Sequence, residues 1–213
     1  CVSTLPLKSF SARYLKWCRK HGYYFSQEKA FEIHSKAQSC IGVMPQNDTT
    51  RLLVEQAVMQ LQTTSAALAA LKQEMQSLAA SLPEYPVVMK MFGVGPTLGP
   101  QLMAEIGDVR RFHSKKALVA FAGIDAPPCQ SGQMEIRSRS ISKRGSAALR
   151  RTLFLVMGVY LQSAPLDVPV YQFMDKKRSE GKPYKVYMMA SANKFLRIYY
   201  ASVTAYLNTL TRI

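Results

Sequence analysis

One run of the sequence constrains the fold more than any other. Val54, Ala57, Leu61, Thr64, Leu68, Leu71, Met75 and Leu78 recur at alternating steps of three and four residues over four heptads. That spacing puts every such side chain on one stripe of an α-helix, and it is the pattern of a coiled-coil seam. Ala57 and Thr64 dilute the stripe, so packing against its own chain and pairing with a second copy both stay open. The run, residues 49–81, follows a Pro45-Gln46-Asn47-Asp48 turn cluster and is closed by Pro83 and Pro86. A helix of this length fixes the class as mainly α.

The flanks read the same way. Phe10, Tyr14, Trp17 and Cys18 share a face over residues 8–22, and Gly22 is a natural stop. Ser26 is placed to cap a second helix with Ala30, Ile33, Ala37 and Ile41 on its apolar side. Beyond Pro83 the spacing predicts short helices over 84–92 and 96–106, with Pro96 in the first turn of the second. A helix over 111–122 is closed by Gly123, and a further helix runs from a Ser146 cap to Ala164, stopped by Pro165. Shorter and longer helices follow over 170–178 and 184–210. Residues 125–144 carry Pro, Ser, Gly and charge with little periodicity, and read as loop with a short hairpin at 134–140. The organisation expected is a helical segment over 1–46, a coiled-coil-like helix over 47–82, and a domain over 83–213 containing a helix-hairpin-helix at about 84–107.

Charge narrows the class of partner. The formal net charge is +15 over 213 residues, and 48% of the residues are hydrophobic, which excludes a disordered tail. Ten Lys and Arg fall within residues 110–151 against two acids, Asp125 and Glu135. Such a concentration argues for a site that binds polyanions, where cations displace condensed counterions. No apolar stretch is long enough to span a membrane. The four cysteines are scattered and imply no disulfide framework, which fits a reducing cytoplasm.

Three constellations could carry chemistry. Phe92-Gly93-Val94-Gly95-Pro96 lies between two short helices. Gly93 and Gly95 would let backbone N–H groups approach a phosphate, as in a helix-hairpin-helix; the plainer reading is a helical turn with glycines for packing. Cys129-Gln130-Ser131-Gly132 puts a hydroxyl ahead of Arg137, Arg139, Lys143 and Arg144. A hydroxyl attacking a phosphodiester builds charge that such cations stabilise. The alternative is a turn serine in a loop that binds phosphate without chemistry. Cys18, His21, His34 and Cys40 have a spacing near that of a small zinc finger. Against zinc, Cys18 already belongs to an apolar helix face. The last helix interleaves Lys185, Lys194 and Arg197 with Tyr184, Tyr187, Tyr199 and Tyr200. Those tyrosines are expected in the core rather than on bases.

In order along the chain, FGVGPTLGPQLMAEIGD (92–108), RFHS (111–114), AFAGI (120–124), QSG (130–132) and ISKRGS (141–146) with Leu149-Arg150 resemble the C-terminal domain of the DEDD-type insertion-sequence transposases. That family includes the Piv-like DNA invertases and the bridge-RNA-guided recombinases. The likeness runs over roughly 84–205, and residues 49–82 resemble the family's coiled-coil connection. It implies that Ser131 attacks DNA, with Gly93, Gly95, Arg137, Arg139, Lys143, Arg144 and Arg150 holding the phosphate backbone. It also implies magnesium on a separate RuvC-like domain, and as partners DNA, a guide (bridge) RNA and further copies of the protein. The cellular setting it implies is bacterial, cytoplasmic and nucleoid-associated. No segment of these 213 residues resembles the RuvC-like half. The chain is therefore expected to contribute one part of a composite site, to bind no cofactor itself, and not to recombine DNA alone. The reading from a different class is a non-catalytic helix-hairpin-helix module that binds DNA.

Overall fold

The computed structural model describes residues 2–40, 44–45, 47–126, 130–131, 134–135 and 140–211. The chain divides into two compact units, residues 1–64 and 65–213, with the boundary inside the long helix.

In the first unit, α1 (Leu7–His21) ends where Gly22 turns left-handed at φ 71°, its end sealed by Tyr23 N–H donating to Cys18 O at 2.9 Å. α2 (Gln27–Ser39) begins at Ser26, whose hydroxyl accepts from Lys29 N–H at 3.2 Å. The two helices bury Phe10, Cys18, Ala30 and His34 between them. α3 (Asp48–Ala80) is one continuous 33-residue helix, as the 3-4 spacing predicts. Its stripe is largely uncovered, with Val54, Leu61, Leu68 and Leu71 all more than half exposed.

The second unit is built around α9 (Tyr184–Leu210), the last helix. Met188, Ala192, Phe195, Leu196, Tyr199 and Val203 form its buried stripe. Against it pack α4 (Tyr85–Met89), α6 (Lys115–Phe121), α7 (Ala147–Ser163) and α8 (Pro169–Ser179), while α5 (Leu98–Ile106) lies on α7. Each large apolar side chain enclosed in this way contributes about 1.5–3 kcal/mol. Tyr187 and Tyr199 belong to this core, and the Tyr200 hydroxyl donates to Phe112 O at 3.0 Å. The core reading therefore holds for Tyr187 and Tyr199, whereas Tyr200 is half-buried and Tyr184, at the first turn of α9, is exposed. Among the described residues the only sheet is a two-residue antiparallel ladder, β1 (Gln130–Ser131) with β2 (Met134–Glu135), so the fold is mainly α.

Three local expectations change. The helix expected over 111–122 starts only at Lys115, and Arg111 falls in a separate turn ahead of it. Asp108 takes Arg110 N–H and closes a 3-10 turn at Val109–Arg111, and Ser114 Oγ then accepts from Ala117 N–H to start α6. Two side-chain caps six residues apart break what periodicity alone reads as one helix. α5 proper starts at Leu98, two residues after Pro96, and the Gly99 N–H bond to Gly95 O at 2.8 Å, four residues back, folds Pro96 and Thr97 into a turn leading into it. The hairpin expected at 134–140 pairs 130–131 with 134–135 instead; residues 136–139 lie outside the described residues.

Candidate nucleic-acid interface

The serine and the cations singled out in the sequence belong to one excursion of the chain between α6 and α7. Its two ends are tied by backbone. Ser142 N–H donates to Asp125 O at 2.8 Å, Lys143 N–H to Gly123 O at 3.0 Å and Ser146 N–H to Phe121 O at 2.7 Å. Side chains reinforce the clasp. Ser142 Oγ donates to Asp125 Oδ1, and Arg150 Nη1 donates to Ala122 O at 3.1 Å.

Two glycines make the approach possible. A Cβ on Gly145 would stand 1.8 Å from Phe121 O and 2.7 Å from Gly123 N, so the two segments touch backbone to backbone. Gly123 sits at φ +63°, and its own Cβ would meet Gly145 N at 2.7 Å. Between them Lys143 is held at φ 55°, a left-handed conformation that a non-glycine residue takes at a cost of about 1–3 kcal/mol. Its own hydrogen bond to Gly123 and that of Ser142 to Asp125 hold it there.

α7 starts from the same clasp. Ser146 Oγ accepts from Leu149 N–H at 3.1 Å and donates to Glu105 Oε2 at 3.0 Å. The α7 N-terminus is thereby capped and tied to α5. The carboxylate also lies where the helix dipole favours negative charge.

The cations of residues 110–151 divide into two groups. Some serve the fold. Arg110 Nη2 pairs with Asp108 Oδ2 at 2.9 Å, and the hydrogen bonds from Arg110 hold that carboxyl below its usual pKa. Arg111 lies 4.6 Å from the Phe112 ring centroid and 4.7 Å from that of Phe121. Arg150 is partly committed to Ala122 O. The others, Lys115, Lys116, Lys143, Arg144 and Arg151, are exposed, and among the described residues none of them is in an ion pair. Arg137 and Arg139 lie outside the described residues. For Ser131 the backbone is described: it pairs with Met134 beside a two-residue connection. Asp125, six residues before Ser131, already accepts the Ser142 hydroxyl.

The two glycines between α4 and α5 are not equivalent. Gly93 is at φ +75°, and a Cβ there would meet the Tyr160 ring at 3.1 Å, so packing alone accounts for it. Gly95 has no positive φ, and a Cβ there would meet nothing within 4 Å. The fold does not explain why residue 95 is glycine.

The zinc-finger spacing has other surroundings. Cys18 is fully buried in the α1–α2 core. His34 Nε2 donates to Leu5 O at 2.7 Å, which leaves that nitrogen without a lone pair for a metal. The His21 ring lies 4.8 Å from that of Trp17, and Cys40 is at the end of α2. Among the described residues no three His, Cys, Asp or Glu side chains are gathered to hold a metal ion. Nor is any helix among them long and apolar enough to cross a membrane.

The α4-to-α7 region, with its clasp, lies within a segment that matches a known family. Residues 85–168 match the sequence model of the Transposase IS116/IS110/IS902 family. The match starts at the first residue of α4 and ends just before α8. A pilin gene-inverting protein of Moraxella bovis is 32% identical over 111 residues, covering 52% of this chain and 34% of that protein. The pilin gene-inverting protein of Moraxella lacunata is similar to the same extent, 32% over 111 residues. The chain thus contains a transposase/invertase-related domain. The aligned part of the chain spans about a third of the length of these curated relatives, 34%.

Proposed function

We propose that this chain is the DNA-contacting, nucleophile-bearing portion of a recombinase that breaks and rejoins DNA through Ser131. The observation that carries the reading is the Phe121–Asp125 to Ser142–Ser146 clasp. It gives the intervening loop, with Ser131 and its neighbouring cations, a rigid base inside the domain related to transposases and gene-inverting proteins. In the step proposed, Ser131 Oγ attacks phosphorus, a P–Oγ bond forms and the bond to one deoxyribose oxygen breaks. The released sugar hydroxyl carries the proton away. Exposed Lys143 and Arg144, together with Arg137 and Arg139, would offset the charge that grows on the phosphoryl oxygens. The guide RNA, the self-association through α3 and the magnesium implied by the resemblance remain part of the proposal for the intact protein. The described residues gather no carboxylates for a divalent ion, so no step is assigned to one on this chain.

The test is Ser131→Ala in the full-length protein, incubated with its DNA target and analysed for covalent protein–DNA adducts. Adducts are expected to disappear while DNA affinity stays within about twofold, because one hydroxyl adds little to a salt-dependent, multi-contact interface. Adducts at normal yield would overturn the nucleophile and favour a binding module without chemistry.

Gly95 supplies an independent check on the hairpin. If a phosphate approaches the backbone there, Gly95→Ala is expected to leave stability within about 0.5 kcal/mol, since the added methyl meets only open space. Duplex affinity should nevertheless fall several-fold. A titration in which affinity is unchanged would remove the hairpin from the interface.

A further inference from the structure

α9 has a second face. Val186, Met189, Asn193, Arg197 and Ala201 recur at steps of three and four on the side away from the buried stripe, and they form one wall of a groove of about 1200 Å³. Phe154 of α7 and Phe173 of α8 form the opposite side, and Ile124 and Ile141 enter from the two strands of the clasp. The floor is mostly apolar. Five cations surround it: Lys115, Lys143, Lys185, Lys194 and Arg197. Among the described lining residues there is no Asp or Glu, and none of the five cations is in an ion pair. Lys194 Nζ lies 5.0 Å from the Phe173 ring centroid.

We infer that this groove holds an unpaired DNA strand, with phosphates on the five cations and bases against Phe173, Phe154 and the apolar floor. The inference rests on the reading that the protein acts on DNA, and adds a site that reading does not contain. Two features choose the occupant. The uncompensated positive charge calls for a polyanion. The apolar floor calls for flat apolar surface, which a duplex keeps inside its stack and a single strand exposes. A cationic groove floored by aromatic rings is the physical arrangement that binds single strands with little sequence preference. An acidic peptide would satisfy the charge but leave the rings and the floor without planar partners. The α8 and α9 walls lie beyond residue 168, outside the segment matched by the transposase family. The groove also shares Lys143 and Ile124 with the clasp, so a strand lying in it would lead to the Ser131 loop.

The experiment measures anisotropy of fluorescein-labelled oligothymidylate of about 15 nucleotides, the corresponding dT·dA duplex and oligouridylate, with the full chain over a salt series. The variants are Lys185→Gln with Arg197→Gln, and Phe173→Leu with Phe173→Ala; leucine keeps an apolar side chain under α8 and removes only the ring face. The double Gln variant is expected to lower the slope of log affinity against log salt by about 1.4 for the single strand, 0.7 for each lost contact. Phe173→Leu is expected to weaken the single strand about tenfold, and duplex affinity should move less than twofold in both. Single-strand affinity indifferent to these variants, an equal loss for the duplex, tighter binding of oligouridylate, or displacement by polyglutamate of matching charge would each overturn the groove assignment. Duplex binding that persists while the groove variants have no effect sinks this inference alone. Failure of the unaltered protein to bind any of the three at low salt sinks the proposed function with it.

Discussion

Gly145→Ala is expected to destabilise the second unit by about 3 kcal/mol or more, the upper end of what overpacking costs. The reason is the identity of the atoms in the way. The new methyl would lie 1.8 Å from Phe121 O and 2.5 Å from Phe121 C, and both are main chain. A flexible side chain could swing aside, but a peptide group can move only if the segments part. Parting them breaks the Ser146–Phe121 and Lys143–Gly123 hydrogen bonds and uncaps α7. Urea unfolding of the wild type and the variant measures the loss. A difference below about 1 kcal/mol would show that the clasp yields cheaply and would remove it as the rigid base of the Ser131 loop. Gly158→Ala, a helix position with open space around its Cβ, is the control. It should be neutral or slightly stabilising.

Tyr160→Ala is the second large effect expected, about 3–5 kcal/mol by the cavity it leaves. The side chain is 2% exposed; its ring stands edge-on to Phe92 at 5.0 Å and to Phe195 at 6.4 Å, and touches the backbone at Gly93. It therefore joins α7, the turn between α4 and α5, and α9 at one point. The same burial pushes the Tyr160 hydroxyl up to about 12 from the usual 10. In this case the folded chain keeps a proton that the unfolded chain releases, so the contribution to stability is intact below pH 10. It is lost as the pH rises from 10 through 12. Tyr160→Phe, which keeps the ring, should cost far less than alanine and should flatten the alkaline loss; Tyr199, pushed up further by burial, retains the remainder. An alkaline unfolding profile identical in Tyr160→Phe and wild type would contradict the assignment.

α3 was fully legible, because a 3-4 stripe and two flanking turn clusters are local information. Gly22, Ser26 and Ser146 were legible as helix ends for the same reason. The break between Val109–Arg111 and α6 was not, because apolar spacing runs through it and only the Asp108 and Ser114 side chains interrupt it. In the candidate site, Lys143 and Arg144 were marked by charge alone. The same criterion marked Arg110, Arg111 and Arg150, whose charges are spent on Asp108, on two rings and on a carbonyl. Phe173 carried no signal in the sequence, since a single aromatic on a helix becomes a groove wall only when distant helices are brought beside it.

The sequence by itself determined a helical chain, the place of most of its helix ends, its concentration of positive charge over residues 110–151 and its likeness to a transposase-type domain. Those follow from spacing, capping residues and motif order, all of which are carried by neighbours along the chain. The tertiary structure alone decided which glycines are there for packing and which is left over, which cations are free, and that a cationic groove opens beside α9. Each of those depends on atoms from segments tens of residues apart, and no property of residue 145 on its own records that Phe121 O lies against it.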